Sequence, residues 1–240
     1  TQWISPTWRM PENSNQSKID NYSLNYDGTN DYINLSDNFS SVFAGNSWSF
    51  SVWLNVSANN SYDCIFAKGL PVQFFIHNNK VKIWLGYPYL TNVTPLESST
   101  TLSVDTWYHV AFTRSGNDNI LYINGASDAT ATSSGSVTTD GASALIGSYS
   151  TSYPFQGEMT QVTIYDSALS SAQITALYNS GTPVNPMALT PLPVAYYPLG
   201  GGSTGDAADP ATTLTVPNDA VPSATVFDYP SGGADWIDIG

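Results

Sequence analysis

The sequence is short of charge, of cysteine and of long apolar runs. Only 10% of its 240 residues are charged, against about 25% in an average soluble domain. Ser, Thr, Asn and Gly must therefore build the surface, and these residues suit strands and turns better than helix faces. Cys64 is the single cysteine, so no intramolecular disulfide can form. Set between apolar neighbours in YDCIFAKG, it reads as a small buried hydrophobe. No apolar run reaches membrane-spanning length. Base is scarcer still: the net charge is −13, and from Ser115 to Gly240 there are eleven acids and no Lys or Arg. Such a surface releases no phosphate counterions, which excludes nucleic acid as a partner, and it is repelled by anionic membranes. Catalytic residues are few as well. The glutamates are Glu12, Glu97 and Glu158, none with a second acid two or four positions away, and the histidines are His77 and His109. Glycoside hydrolysis needs a carboxylate pair, so the reading is a protein that is not an enzyme, with a glycoside hydrolase as a distant alternative.

What is present is strand. Fifteen Tyr and seven Trp favour β-structure. YSLNY (22–26) alternates and ends at the turn DGTND (27–31). WSFSVWLNV places Trp48, Phe50, Val52, Leu54 and Val56 on one face. VQFFIHN turning at Asn78-Asn79 into KVKIWLG reads as a hairpin, and TWYHVAFTR facing ILYINGA as a second. Trp48, Trp53 and Trp107 are expected in the core. One helix is expected near residues 171–179, because Ser170 and Gln173 have capping-box spacing, Ile174, Leu177 and Tyr178 make an apolar stripe, and Gly181 follows as a stop. Many short strands with one late helix predict an all-β, two-sheet antiparallel sandwich.

Residues 1–21 read as an N-terminal arm and SGTPVNPMALTPLPVA (180–195), with four prolines, as a linker region. Beyond it the opening of the domain recurs. Asp235-Trp236-Ile237 aligns with Asp31-Tyr32-Ile33, and Phe227 and Tyr229 with Leu24 and Tyr26. The organisation predicted is a domain over 1–181, a Pro-rich linker over 182–194 and a partial second copy over 195–240. A lone strand such as DWIDI cannot bury its apolar face unaided. The second copy is therefore expected to make an ordered contact within or between subunits.

The blocks LNYDGTNDYINL, WSFSVWLNV, IFAKG, DTWYHVAFTRSG, ILYINGA, ALIGS and FQGEMTQVTIYDSALSSAQITALYNSG, in that order over residues 22–181, resemble the laminin-G-like, pentraxin-related branch of concanavalin A-like lectins. The resemblance implies a jelly roll with a short helix after the last strand. Tandem copies of this kind resemble those of marine bacterial surface proteins and phage structural proteins, which implies an extracellular, cell-surface or virion location. The family binds glycans, binds proteins or decorates virions, and fold does not choose among these.

Two aromatic loops are the ligand-binding candidates: LGYPYLTN with Tyr87, Tyr89 and Asn92, and GSYSTSYPFQG with Tyr149, Tyr153 and Phe155. Sugar rings stack on aromatic faces while amides read their hydroxyls. The same loops could instead contact neighbouring subunits. Asp27, Asn30 and Asp31 bring oxygen ligands suited to a structural calcium ion; they could equally set the turn, with Gly28 at positive φ. The sequence departs from the pentraxin calcium site, which draws acids and amides from the loop that here reads SYSTSYPF. Many relatives carry an acid where Thr160 and Gln161 stand. The partners expected are glycans or neighbouring subunits in a homo-oligomer or larger assembly, and the function a module that binds glycans, holds subunits together, or both. The alternative is a purely structural self-assembling protein with no ligand.

Overall fold

The computed structural model describes residues 23–35, 39–57, 62–86, 96–135, 137, 141–149 and 152–199, and the backbone of a short strand at 221–222. The arm and loop residues 87–95, with Tyr87, Tyr89 and Asn92, lie outside the described residues. So does the second copy from Gly200 on, that short strand apart.

Two antiparallel sheets face each other. The larger holds, in order, β10 (Ala126–Thr132), β9 (Asp118–Ile123), β8 (Trp107–Ser115), β3 (Ser47–Val56), β12 (Gln156–Tyr165), β1 (Leu24–Asp27) and β14 (Val221–Pro222), with β13 (Ala195–Tyr197) also paired to β12. The smaller runs β2 (Ile33–Asn34), β11 (Ala144–Ile146), β4 (Asp63–Lys68), β5 (Val72–His77), β6 (Lys80–Leu85) and β7 (Leu96–Glu97). This is the jelly-roll sandwich expected from the sequence.

The core lies between the sheets and is rich in aromatic rings. Trp48, Phe50, Val52, Leu54 and Val56 all point into it, as the alternation in β3 requires. Phe50 meets Phe74 of the opposite sheet at 4.6 Å between ring centroids, and Trp48 meets Phe112 at 5.0 Å. Each such ring, fully buried, contributes about 1.5–3 kcal/mol. A short helix, α1 (Ser40–Phe43), adds Val42 and Phe43.

The turns follow from residues that accept positive φ. Asn78 (φ 53) and Asn79 (φ 59) close the β5–β6 hairpin, and Asn124 (φ 50) with Gly125 (φ 78) closes β9–β10. Both match the two-residue turn in which both central residues are left-handed. Helix α2 (Ser171–Tyr178) carries the expected capping box, Gln173 N donating to Ser170 Oγ at 3.3 Å and Ser170 N donating to Gln173 Oε1 at 2.8 Å. It stops at Asn179 (φ 43), two residues before Gly181. α2 packs Ile174 and Leu177 against Ala111, Tyr122 and Tyr165 on the outer face of the larger sheet.

Trp107 corrects the expectation of a core residue. It is 38% exposed at the start of β8 and pairs with Asn55 on the outer face. Trp48 and Trp53 are buried, Trp53 beneath α2 rather than between the sheets.

Candidate functional site

Outward-facing residues of the smaller sheet form one aromatic surface. In β5, Val72, Phe74 and Ile76 enter the core, so Gln73, Phe75 and His77 face out; in β6 the same alternation leaves Lys82 and Trp84 outside. Phe75 is the floor of the patch, 4% exposed. Four rings stand edge-on around it: Trp84 at 5.4 Å, Tyr153 at 5.8 Å, Tyr62 at 6.0 Å and Tyr149 at 6.4 Å. Tyr62 also stacks on the His77 imidazole at 4.0 Å. Tyr153 is the most open of them, 46% exposed.

The loop that supplies Tyr149 and Tyr153 is anchored by its backbone. Tyr149 N donates to Ser152 O (2.9 Å), Ser152 N to Tyr149 O (2.7 Å), and Cys64 N of β4 to Tyr153 O (2.9 Å). Tyr153 takes a left-handed φ of 58 to make this fit, which is costly for a bulky residue. The loop enters through Gly147 (φ 86), where a Cβ would run into the Tyr26 ring. Of the three candidates in this loop the structure brings Tyr149 and Tyr153 together on the patch. Phe155 belongs to the core instead: it is 0% exposed and edge-on to Tyr26 at 5.8 Å, because the chain has turned back into β12 there.

Polar groups border the rings. Glu97 of β7 pairs with Lys82 (2.9 Å) and Lys80 (3.6 Å). Its hydrogen bond to Lys82 holds the carboxyl below the usual range. The His77 imidazole titrates below its usual value, first through desolvation and then through Lys82. The patch thus combines stacking faces with donors and acceptors of both signs, in a chain otherwise poor in base. Sequence reasoning missed Tyr62, Phe75, His77, Lys82, Trp84 and Glu97 as site residues. The available signal was large aromatics on the non-core phase of two strands whose core phase was already filled.

At the DGTND turn, Asp27 N donates to Asp31 Oδ2 (2.8 Å) and Thr29 N to Asp27 Oδ1 (2.6 Å). Asp31 is buried and, after burial itself, raises the titration of the Tyr26 hydroxyl. Asn30 is exposed. The two carboxylates are thus engaged with turn amides. Among the described residues no three His, Cys, Asp or Glu side chains group as metal ligands.

Two arrangements bear on catalysis. Glu97 lies on the outer face of the smaller sheet, while Glu158 lies on the outer face of the larger one, bonded by Ser23 Oγ (3.2 Å) and Asn55 Nδ2 (3.3 Å). Sheets pack about 10 Å apart with side chains filling the space, so these glutamates cannot flank one glycosidic bond. The second is a hydrogen-bonded pair, Ser51 Oγ and His109 Nε2 at 2.7 Å. His109 is 1% exposed, wedged against Trp53 (5.2 Å) and Tyr178 of α2 (6.1 Å), and its Nδ1 has no partner. Among the described residues no carboxylate bonds its Nδ1, and the ring is sealed from solvent.

Comparison with known proteins agrees with the fold. The family model Laminin_G_3, the concanavalin A-like lectin/glucanases superfamily, matches residues 27–175. The chain belongs to this superfamily. Among solved structures it is similar to a candidate carbohydrate-binding protein from Bacteroides ovatus (TM-score 0.66, 20% identity, 85% of this chain and 60% of that one). It is similar as well to the heptameric SAP-like pentraxin of Limulus polyphemus (TM-score 0.58, 12% identity, 85% and 95%). A third similar structure is the CBM40 of Ruminococcus gnavus IT-sialidase bound to sialyllactose (TM-score 0.54, 17% identity, 67% and 98%). The chain thus spans 60% of the length of the Bacteroides protein. At these identities the likeness is one of fold. None of the curated proteins matches the chain. Among the described residues no helix is long and apolar enough to cross a membrane.

Proposed function

We propose that this lectin-like sandwich is a non-catalytic glycan-binding module of a secreted, cell-surface or virion protein, and that it holds its ligand on the outer face of the smaller sheet. The observation that carries the reading is the ring of Tyr62, Trp84, Tyr149 and Tyr153 around Phe75, with Tyr153 exposed and the other three half-buried. A pyranose presents an apolar face that such rings cover, while His77, Lys82 and Glu97 bond its hydroxyls. The separation of Glu97 from Glu158 and the sealing of His109 support the non-catalytic part. One similar structure is bound to sialyllactose and another is named a candidate carbohydrate-binding protein, which favours glycan over other small molecules. Tyr87, Tyr89 and Asn92, which follow Gly86 closely in the sequence, are proposed to add to the same ligand's contacts.

The test is an immobilised oligosaccharide array probed with the labelled wild type and with Trp84→Ala and Tyr153→Ala. Binding to a defined subset, lost at least tenfold in both variants, is expected. Binding that survives both substitutions would move the site elsewhere. The absence of any binding would favour the purely structural reading, in which the rings contact a neighbouring subunit.

A further inference from the structure

Strand β13 has one identity in the sequence and another in the sheet. By the internal repeat it opens the second copy: it lies ahead of Phe227 and Tyr229, the counterparts of Leu24 and Tyr26 in β1. In the structure it belongs to the first copy. Ala195–Tyr197 pairs with Val162–Ile164 of β12, and β1 pairs with Gln156–Met159 of the same edge. Both are antiparallel to β12, so β13 and β1 run in one direction, end to end. β13 therefore lies directly upstream of β1 along the same edge of β12.

The insertion is complete. Ala195, Tyr197 and Leu199 join the main core. Val194 N donates to Ile164 O at 2.8 Å, and the Tyr196 hydroxyl donates to Gln161 Oε1 at 2.6 Å. β12 is shaped to receive it. Its pairing with β3 shifts register between Thr160 and Thr163, Gln161 takes a φ of 56, and the displaced backbone presents Gln161 N (3.1 Å) and Thr160 Oγ1 (2.7 Å) to Pro198 O. A bulge that re-aims donors at an incoming strand is a built feature of a sheet.

We propose that the edge of β12 along Val162–Ile164 is a strand-accepting site whose ligand is the opening strand of a neighbouring copy. Resting on the repeat read in the sequence, this makes β13 a shared strand that couples successive copies. When the site is emptied it takes the same strand from another molecule, a second copy of this chain. Main-chain pairing gives such strand addition its affinity, and the burial of Ala195, Tyr197 and Leu199 in the core gives it selectivity.

The test uses the full chain. Tyr196→Asp with Tyr197→Asp empties the site. A fluorescein-labelled peptide spanning residues 193–200 is then titrated into this variant and into wild type, with a scrambled peptide as control. The variant is expected to bind the peptide one to one, at least tenfold more tightly than wild type or the scrambled control. If the variant is unfolded alone, the peptide and not the scrambled control restores its circular dichroism spectrum. Equal treatment of both peptides overturns the proposal. Exchange between molecules is read in Thr163→Cys with Tyr196→Cys on a Cys64→Ala background. Oxidation after dilute refolding gives a disulfide within one chain, and after concentrated refolding gives linked dimers and longer ladders. No disulfide under either condition, or a disulfide confined to single chains at every concentration, overturns it. Glycan binding at the opposite face does not enter either readout.

Discussion

The two outer faces of this sandwich carry similar chemistry with opposite fates. On the larger sheet Trp53, His109 and Tyr178 stack together under α2. Ser49 Oγ helps fasten that cover, donating to Ser167 O and accepting from Leu169 N, both at 2.8 Å. On the smaller sheet Tyr62, His77 and Trp84 form a comparable cluster that no described helix covers. Both faces thus place a histidine among aromatic rings, and the cover decides what each can do. Under α2 the imidazole is driven down to about 3 by desolvation, and the group serves structure alone. On the open face the same residue type stays partly exposed to solvent.

The largest effect that would break this contrast is on acid stability. His109 titrates at about 3 in the folded chain, below the ordinary value of about 6.5 in the unfolded one. Its stability contribution is neutral above pH 6.5. As pH falls from 6.5 toward 3 the unfolded state alone takes the proton, so stability is lost progressively, and the loss levels off below 3. His109→Gln should remove a loss on the order of 4 kcal/mol between pH 7 and pH 3, measured as urea unfolding across that range. The same substitution at His77 should leave the profile close to wild type.

Next in size is packing. Trp53→Ala should cost about 3 kcal/mol in urea unfolding, because a covered ring leaves a cavity. Trp84→Ala should cost much less stability and act on glycan binding. Ser170→Ala removes the N-cap of the covering helix and should cost about 1 kcal/mol, with faster hydrogen exchange confined to α2 and the strands beneath it. Tyr153→Ala should change stability by no more than about 0.5 kcal/mol. Calcium added to EDTA-treated protein should leave the melting temperature within about 1 °C, since turn amides already hold one oxygen each of Asp27 and Asp31; a rise of several degrees would assign a bound ion to that turn.

Much of the frame was legible in the residues. The core phase of β3 stood out because apolar residues filled it without a break, while the other phase held Ser49, Ser51 and Asn55 with Trp53 alone among them. The Asn-Asn turn and the Ser170–Gln173 box each carry their own geometry. Four features were legible only in part or not at all, for physical reasons. β10, ASDATAT, has no apolar alternation, and only Ala129 and Ala131 touch the core, so its pairing with β9 supplies the strand character. In β8 aromatics occupy both phases, and the register that places Tyr108 against the core turns Trp107 outward. The candidate site was half visible: its loop, through Tyr149 and Tyr153, stood out as aromatic, whereas Phe75 and Trp84 looked like ordinary strand residues until the register put them on the outside. The place of Ala195–Tyr197 in the sheet depends on a neighbour more than 30 positions away, beyond the reach of local pattern.

The open face is tested most directly by nuclear magnetic resonance mapping with the tightest oligosaccharide from the array. Backbone and aromatic shift changes on titration should cluster at Tyr62, Phe75, His77, Trp84, Tyr149 and Tyr153 and leave Trp53, His109 and Tyr178 unmoved. Changes centred instead on Trp107, Asn55 and Glu158, across the sandwich, would contradict it.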